Sequence, residues 1–468
     1  MYRFRTIECL LDKYNELENQ EIYFASPEEL NDPMEGLRDV FWKGDGIVWK
    51  NLMINYLKSL ERVFVLTILL NDSKSITDDD LVVSSGLLRY ASPQREFLVK
   101  EIIDQTFKTK FIRELPIRLS KRRTPIRRSE LLSYLQTIHP FFLNSISEIY
   151  YKHKLTYKLQ YHQDLGQFES VIEKSGFLHE LFNKLEEENN KGQSDIFFNT
   201  IGLYIQSNKL HIEFKHWEGE SKSNAFYLVS EFPNRFVTKL ENDIYPDWYS
   251  ASFLESNENS AVWGHYGDNH KGVCLKFKPI LNEGKLALNL NTEYGYGSGP
   301  IIGMRPHTFR KIEYHNKHVE IDFFRSMGRL PKIELDKLWY EDPDGNKSVC
   351  ASHFDSPEKE EEWQEEYWKN FNDSLKIKLR EWSYENEYRL VVHGDFIDYS
   401  TKDSRKLRYD FKDLESITFG IKTPNSAKLQ IMKIIDKKCK ENSRKEFDFY
   451  QAYYSKDKGQ IESFKMTF

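Results

Sequence analysis

The chain has 468 residues, of which 30% are charged and 15% aromatic, and its formal net charge is −6. This length is enough for two or three domains with a sizeable core, and the mild charge gives no global reason to expect binding to nucleic acid or to a membrane. The four cysteines form no CxxC pair, and no apolar run approaches the ~20 residues that span a bilayer. This argues against a disulfide framework, a structural zinc site and a transmembrane helix, so we expect a cytoplasmic protein.

The N-terminal segment predicts a compact β-α-β-α opening. Residues 2–5 are predicted to form a basic first strand, and the apolar residues at 7–17 a helix that stops near Asn19. Residues 22–24, which are β-branched or aromatic, are predicted to form a second strand. Ser26 precedes a proline and two glutamates and is predicted to cap a short helical turn. This turn ends early, because Pro33 pushes the residue before it towards an extended conformation.

The loop after this turn carries three polar side chains, Asn31, Asp32 and Glu35, within the stretch YFASPEELNDPMEG. Asn and Asp in such loops often satisfy their own backbone in an Asx-type turn. The alternative is that the three side chains belong to a pocket and tie its wall to neighbouring elements.

The rest of the chain predicts an α+β fold, with a mixed small-sheet core and a large, mostly helical insertion. We expect residues 1–58 to form the N-terminal part of the core, 59–216 the helical insertion, and 217–468 the remainder of the core, with a variable region at 281–372. Near the C-terminus we expect a strand, a helix that begins near Pro424, and FDFYQAYY as the final strand.

The segment WSYENEYRLVV places Glu385, Glu387 and Arg389 on one face of a predicted strand, with successive spacings of about 7 Å. Two carboxylates so placed can divide the work of a glycosyl transfer, one orienting a hydroxyl and the other stabilising a developing positive charge. The alternative is a solvent-exposed ladder of charges, which would contribute little to stability.

The segment AVWGHYGDNHKG predicts a short helical turn that Ser260 caps and that Gly267 ends in a left-handed conformation. The turn carries Trp263, His265 and Tyr266, which suits a pocket wall able to stack an aromatic ring and to donate hydrogen bonds. The alternative is that Trp263 and Tyr266 pack in the core while His265 bonds to backbone.

A basic segment, FKTKFIRELPIRLSKRRTPIRR, contains nine Lys or Arg and one acid. Such a cluster can contact nucleic-acid phosphates, and it can equally be a solvated face. The candidate nucleic-acid-binding residues are Arg118, Lys121, Arg122, Arg123, Arg127 and Arg128. The sequence contains no Walker A, HExxH or GxSxG motif, so we expect no metal.

With its opening strand, YFASPEELNDPMEG, VWGHYGDNHKGVCLKF and WSYENEYRLVV in this order, the chain resembles the bacterial family known as domain of unknown function 2971. The resemblance extends to ITFGIKTP and YQAYY, and it covers the first sixty residues or so and roughly 247–468. The helical stretch 59–216 lies outside this resemblance and is interpreted as an insertion.

The chain is also similar to the layout of ADP-ribosyltransferases, with a basic first strand, a Tyr and a Ser on the second strand, and a Glu-x-Glu entering a later strand. That similarity implies NAD as cofactor, with Arg3 or Arg5 holding its phosphates or ribose, Ser26 its nicotinamide ribose and Tyr23 stacking near the nicotinamide. It implies that Glu387 stabilises the ribosyl cation and that Glu385 activates the acceptor. The predicted catalytic residues are Glu387, Glu385 and His265, and the predicted cofactor-binding residues are Arg3, Arg5, Tyr23, Ser26, Trp263, Tyr266 and Arg389.

Together these features predict an intracellular bacterial effector of toxin or phage-defence type that transfers ADP-ribose to a nucleic acid or protein, with a neighbouring antitoxin or defence-system protein as its expected partner. The competing hypothesis is a non-catalytic sensor that binds nucleic acid or a partner protein. A nuclease that works without metal, through His265 and the carboxylates, is a third hypothesis, although nothing in the sequence fixes a phosphate beside a nucleophile.

Overall fold

The computed structural model describes residues 1–83, 92–157, 183–185, 187, 193–215, 223–394 and 397–467. Part of the predicted insertion, including 84–91 and 158–182, lies outside the described residues. The fold is α+β, which confirms the predicted class. No helix in the described ranges combines the length and apolar character needed to cross a membrane.

The strands of the described residues are β1 (Tyr2–Arg5), β2 (Glu21–Tyr23), β3 (Asp39–Trp42), β4 (Ile126–Arg127), β5 (Trp248–Leu254), β6 (Val273–Phe277), β7 (Ile280–Asn282), β8 (Lys285–Tyr296), β9 (Pro300–Thr308), β10 (Arg310–Lys311), β11 (Glu313–Tyr314), β12 (Glu320–Asp322), β13 (Ile377–Lys378), β14 (Glu387–His393), β15 (Lys406–Tyr409), β16 (Leu414–Phe419), β17 (Asp448–Ser455) and β18 (Gln460–Lys465). The α-helices are Glu16–Asn19, Gly46–Leu70, Pro93–Thr106, Lys110–Ser120, Arg128–Lys152, Gln193–Lys215, Asn224–Phe226, Phe232–Asn242, Ser260–His265, Lys332–Leu335, Pro357–Ser374 and Asn425–Glu441.

The chain divides into two compact units. Unit 1 comprises Met1–Leu37, Pro246–His318 and Asn372–Phe468, and unit 2 comprises Arg38–Tyr245 and Val319–Phe371. Unit 2 is mainly helical, with one small sheet in the order β12-β3-β4. Its helix Gly46–Leu70 begins where the Asp45 side chain accepts hydrogen bonds from two backbone amides, as a helix N-cap does.

Unit 1 is built on an eight-stranded sheet in the order β10-β14-β5-β1-β6-β16-β17-β18. β1 pairs antiparallel with both β5 and β6, and β14 pairs antiparallel with β5, so that Glu387 lies opposite Leu254 and Arg389 opposite Ser252. A second sheet runs β2-β15-β8-β7, and β11 pairs parallel with β13. The core of unit 1 packs residues from both sheets, including Ile22, Phe253, Leu275, Leu288, Leu390 and Ile417, together with Leu10 from the turn Glu8–Asp12.

The structure corrects two predicted elements of unit 1. The helix predicted for 7–17 is broken into a π-helical turn, Glu8–Asp12, and the short helix Glu16–Asn19, because Asn15 lies in the left-handed region with φ 49°. The segment FDFYQAYY does form β17, but it is not the final strand, since β18 follows and pairs antiparallel with it.

Candidate active site

Unit 1 contains a cavity of about 260 Å³ at the β5 and β1 strands. This volume is at or below the lower end of the roughly 300–1,000 Å³ of typical ligand pockets, so it suits one ring with its sugar better than a whole dinucleotide. The cavity brings together nine of the predicted site residues: Arg3, Arg5, Tyr23, Asn31, Glu35, His265, Tyr266, Glu385 and Glu387.

The short turn after β2 forms one wall of the cavity. Ser26 and Glu29 form a reciprocal capping box at the 3₁₀ turn Pro27–Glu29, and the Tyr23 hydroxyl donates a hydrogen bond of 2.7 Å to Glu29 Oε2. Burial, together with the bond to Glu29, raises the pKa of Tyr23 to about 12. Ser26 is therefore a helix cap, as its sequence context predicts, and it does not line the cavity.

The loop that follows satisfies its own backbone and also contributes to the site. Asp32 Oδ1 accepts a hydrogen bond of 2.9 Å from the amide of Met34, so the Asx-type turn is present. Glu35 is buried and turns its carboxylate to the cavity floor. Gly36 then adopts φ 71°, and a Cβ there would lie 2.6 Å from the Trp248 indole, so glycine is required on two counts.

A buried ion cluster forms the floor of the cavity. Lys378 Nζ lies 3.0 Å from Glu35 Oε1, 2.8 Å from Glu385 Oε2 and 3.2 Å from Glu387 Oε2. Arg389 Nη2 lies 2.6 Å from Glu35 Oε2. Two further bonds, of 2.7 and 2.9 Å, join the Arg389 guanidinium to both oxygens of Glu387. Three carboxylates thus share two cations, which leaves one negative charge in excess when all five groups are ionised.

The partners of each carboxylate set its proton affinity. Burial acts to raise the pKa of Glu387, but Arg389 and Lys378 outweigh it and lower that pKa to about 2. For Glu35, burial outweighs the pull of Arg389 and raises the pKa of the carboxyl. Burial opposes the charge of Lys378, yet the surrounding carboxylates raise the pKa of this ammonium above its ordinary value. Glu387 is therefore an ionised carboxylate at neutral pH.

Glu385 reaches the cluster from a different backbone than the sequence predicts. It ends the 3₁₀ turn Arg380–Glu385, and Asn386 follows with φ 49°, so the strand starts only at Glu387. The prediction that an extended strand places Glu385 and Glu387 on one face is wrong, although Lys378 joins their carboxylates. The alternative of a solvent-exposed ladder is also wrong, because both glutamates are buried.

The helix Ser260–His265 is capped by Asn259, whose side chain accepts from the amides of Ala261 and Val262, and not by Ser260 as predicted. Gly267 is not the left-handed exit either; Asp268, Asn269 and His270 have the positive φ values. Gly267 is instead needed for close packing, since a Cβ there would lie 2.8 Å from the Trp263 carbonyl oxygen.

The three aromatic residues of this helical turn have different positions. Trp263 is fully buried, donates to the carbonyl of Asn257 and packs edge-on against Phe4, so it belongs to the core and not to the cavity wall. The Tyr266 hydroxyl donates a 2.7 Å hydrogen bond to Glu385 Oε1. His265 is exposed at the cavity, and its ring lies 6.3 Å from that of Trp382.

The two arginines of β1 are held differently. Arg5 Nε donates a hydrogen bond of 2.6 Å to Glu16 Oε2, and Arg5 Nη2 donates a second one to Glu16 Oε1. The Glu16 carboxylate therefore engages two of the guanidinium nitrogens of Arg5. Arg3 donates to the carbonyl oxygens of Tyr23 and Ser252, at 3.0 and 3.2 Å. Burial, and then the charge of Arg5, lower the pKa of Arg3 to about 9.

Ser250 and Lys378 are among the cavity residues that were not predicted from the sequence. Ser250 is 2% exposed, lines the cavity, and its hydroxyl has no hydrogen-bond partner among the described residues. Lys378 joins the three carboxylates. The alternation of small hydroxyl residues with Ala251 in the aromatic strand WYSASFL is a signal that could have identified Ser250.

The basic segment lies in unit 2 and much of its charge is paired there. Arg122 is buried against Glu130, Arg118 pairs with Glu114, Arg127 with Asp39 and Glu320, and Arg128 with Glu241. Lys121 and Arg123 are exposed. In the described ranges, no group of three or more His, Cys, Asp or Glu is arranged to hold a metal ion.

Comparison with known proteins gives one match. No curated protein and no solved structure matches the chain. Residues 262–390, which contain the VWGHYGDNHKGVCLKF segment and most of WSYENEYRLVV, match the family model described as "Protein of unknown function (DUF2971)". This match supports the family resemblance predicted from those two segments.

Proposed function

We propose that the cavity of unit 1 binds the nicotinamide-ribose end of NAD and that the protein transfers ADP-ribose to a nucleic acid or protein acceptor. The observation that carries this proposal is that Glu385 and Glu387 line the same cavity as Arg3 and Tyr23. In the reaction the C1′–N bond of NAD breaks and nicotinamide leaves with the bonding pair. The acceptor then bonds to C1′ and gives up one proton.

The charge of the ion cluster supports this chemistry. Loss of nicotinamide builds positive charge at C1′, and the ionised carboxylate of Glu387 lines the cavity in which this charge would develop. Glu387 is ionised and fixed by bonds to Arg389 and Lys378, so it needs no reorganisation when the charge develops. A preorganised carboxylate of this kind stabilises a cationic transition state more effectively than a mobile one.

The contacts refine the roles that the resemblance implies. Because the guanidinium of Arg5 is paired with Glu16, Arg3 is the better candidate to bind a ligand oxygen. The Arg3 guanidinium has five N–H donors, and two of its nitrogens donate to backbone carbonyl oxygens. Because Ser26 is a cap, the unpartnered hydroxyl of Ser250 is the better candidate for a ribose contact. Glu385, which Tyr266 orients, would take the proton of the acceptor.

The test is nicotinamide release from NAD by purified protein, with cell lysate as the source of acceptor. We expect release by the wild type and a loss of at least 100-fold in Glu387→Gln, on the order of one lost electrostatic contact in a transition state. The matched control is Glu415→Gln, which removes a surface carboxylate of the same unit paired with Lys276. Equal rates in both variants, or no release by the wild type, would refute the proposal.

The competing function is a sensor that binds a ligand in this cavity without reacting with it. The observation in its favour is that every carboxylate of the cluster already has a cationic partner. Isothermal titration with NAD and with nicotinamide riboside separates the two functions: binding without nicotinamide release would favour the sensor. An effector role in defence or toxicity stays a prediction from the sequence.

A further inference from the structure

We infer that Lys378 is a positioning residue of this reaction, which holds the carboxylates of Glu385 and Glu387 at a fixed separation on the cavity floor and supplies positive charge to both. The inference rests on the proposed function, and no family resemblance singles out this lysine. It concerns a residue that acts through two others and does not itself contact the reacting atoms.

The geometry of Lys378 supports this role. Its side chain is buried, and its ammonium has three N–H donors and three carboxylate neighbours within 3.2 Å, so its bonding capacity is filled. Its backbone is set by the parallel pairing of β13 with β11, which places Lys378 opposite Tyr314. The Tyr314 hydroxyl in turn accepts a bond of 2.9 Å from the amide of Glu387. The lysine and Glu387 are thus fixed to the same strand pair.

Lys378 is also the sole cation that forms an ion pair with Glu385 among the described residues, since Arg389 pairs with Glu35 and Glu387. Without the ammonium, three carboxylates would share one guanidinium in a buried site. At least one of them must then take up a proton near neutral pH, because an uncompensated buried carboxylate is costly. The titratable groups that face Lys378 are Glu35 from the loop after β2, Tyr266, Tyr314 from β11, Tyr384 and Glu385 from the 3₁₀ turn, and Glu387 and Arg389 from β14.

The experiment compares Lys378→Met with Lys376→Met, which removes a partly exposed lysine of the same segment that pairs with Asp373. The first measurement is the pH dependence of nicotinamide release. We expect the acid limb of Lys378→Met to move up by at least one pH unit, so that the lost activity returns as the pH rises, while the limb of Lys376→Met stays in place. Lys378→Arg, which retains a cation, should restore part of the lost activity.

The second measurement does not depend on activity. Infrared difference spectra between pH 5 and pH 9 report the protonated carboxyl groups, and Lys378→Met should show one more than Lys376→Met. A protein without NAD activity whose infrared spectra change as expected would refute the proposed function but not the role of Lys378 in ionising the cluster. Identical spectra and acid limbs in the two variants would refute the inference.

A variant that removes a buried cation can fail to fold. The double variant Lys378→Met with Glu35→Gln removes one charge of each sign, so the cluster keeps its net charge while Glu385 loses its cation. We expect this variant to fold and to retain the shifted acid limb. A double variant with the acid limb of the wild type would show that Lys378 is only a structural residue.

Discussion

Replacing Arg389 by methionine tests how the ion cluster is held. Arg389 is 1% exposed, donates hydrogen bonds to Glu387 and forms an ion pair with Glu35, so its removal leaves three buried carboxylates with Lys378 alone. Methionine fills much of the same volume, so the lost charge and its bonds dominate the effect. Breaking a buried ion pair by removing one partner costs about 3–5 kcal/mol.

The expected change in thermal stability follows from this free energy. A unit of 150–250 residues loses about 2–4 °C in Tm per kcal/mol, so we expect the unit 1 transition of Arg389→Met to fall by roughly 6–20 °C. Differential scanning calorimetry measures this shift. The control is Arg408→Met, which removes an exposed arginine that lies 3.6 Å from Glu21 and should change Tm by little.

A pH series separates the loss of charge from the loss of packing. In Arg389→Met the carboxylates are destabilising while ionised, so the gap in Tm to the wild type should narrow as the pH falls from about 7 to about 4 and they take up protons. A gap that is independent of pH would mean that packing is the cause. A fall in Tm no larger than that of Arg408→Met would refute the account of the cluster as a whole.

Three further predictions follow from the described contacts. Glu387 has a lowered pKa, so it stabilises the folded state above about pH 4.5, and this stabilisation is lost as the pH falls towards 2. Glu35 has a raised pKa, so its contribution to the free energy of unfolding becomes more favourable as the pH falls. Urea unfolding of Glu35→Gln should therefore show a steeper loss of stability between about pH 6 and pH 3 than the wild type, and an identical slope would contradict these shifts. Gly36→Ala should lower Tm by several degrees, because it combines a positive φ with a steric clash, and an unchanged Tm would show that neither matters. Arg122→Met should lower thermal stability, because it breaks a buried ion pair, and leave oligonucleotide affinity in fluorescence anisotropy unchanged; weaker binding at equal stability would restore this arginine as a nucleic-acid contact.

The elements whose signals are local could be predicted from the sequence. β1 has the predicted bounds, and Ser26 caps the predicted turn, because strand propensity and capping depend on residues next to one another. The helix predicted for 7–17 is broken at Asn15, since apolar spacing continues through this position while the backbone turns left-handed. Periodicity does not report such an interruption.

The ion cluster could be predicted only in part, because its members are far apart in sequence. Glu385, Glu387 and Arg389 stand out in the sequence as a charged group on a predicted strand, but their burial depends on Glu35 and Lys378. Nothing local distinguishes Lys378 from Lys376, which lies two residues earlier and pairs with Asp373 on the surface. It is the pairing of β13 with β11 that directs the side chain of Lys378 towards the cluster.

The composition of the cluster argues that it serves more than stability. A buried ion pair is often no more stabilising than a well-packed apolar pair, and an unbalanced set of three carboxylates and two cations is less favourable still. Here the imbalance lies on the floor of a cavity, beside a buried hydroxyl of Ser250 that has no partner among the described residues. A ligand that brings a positive charge and a hydroxyl group would satisfy both at once. The ribosyl cation of NAD has these two features, whereas a simple anion or an apolar ligand has neither.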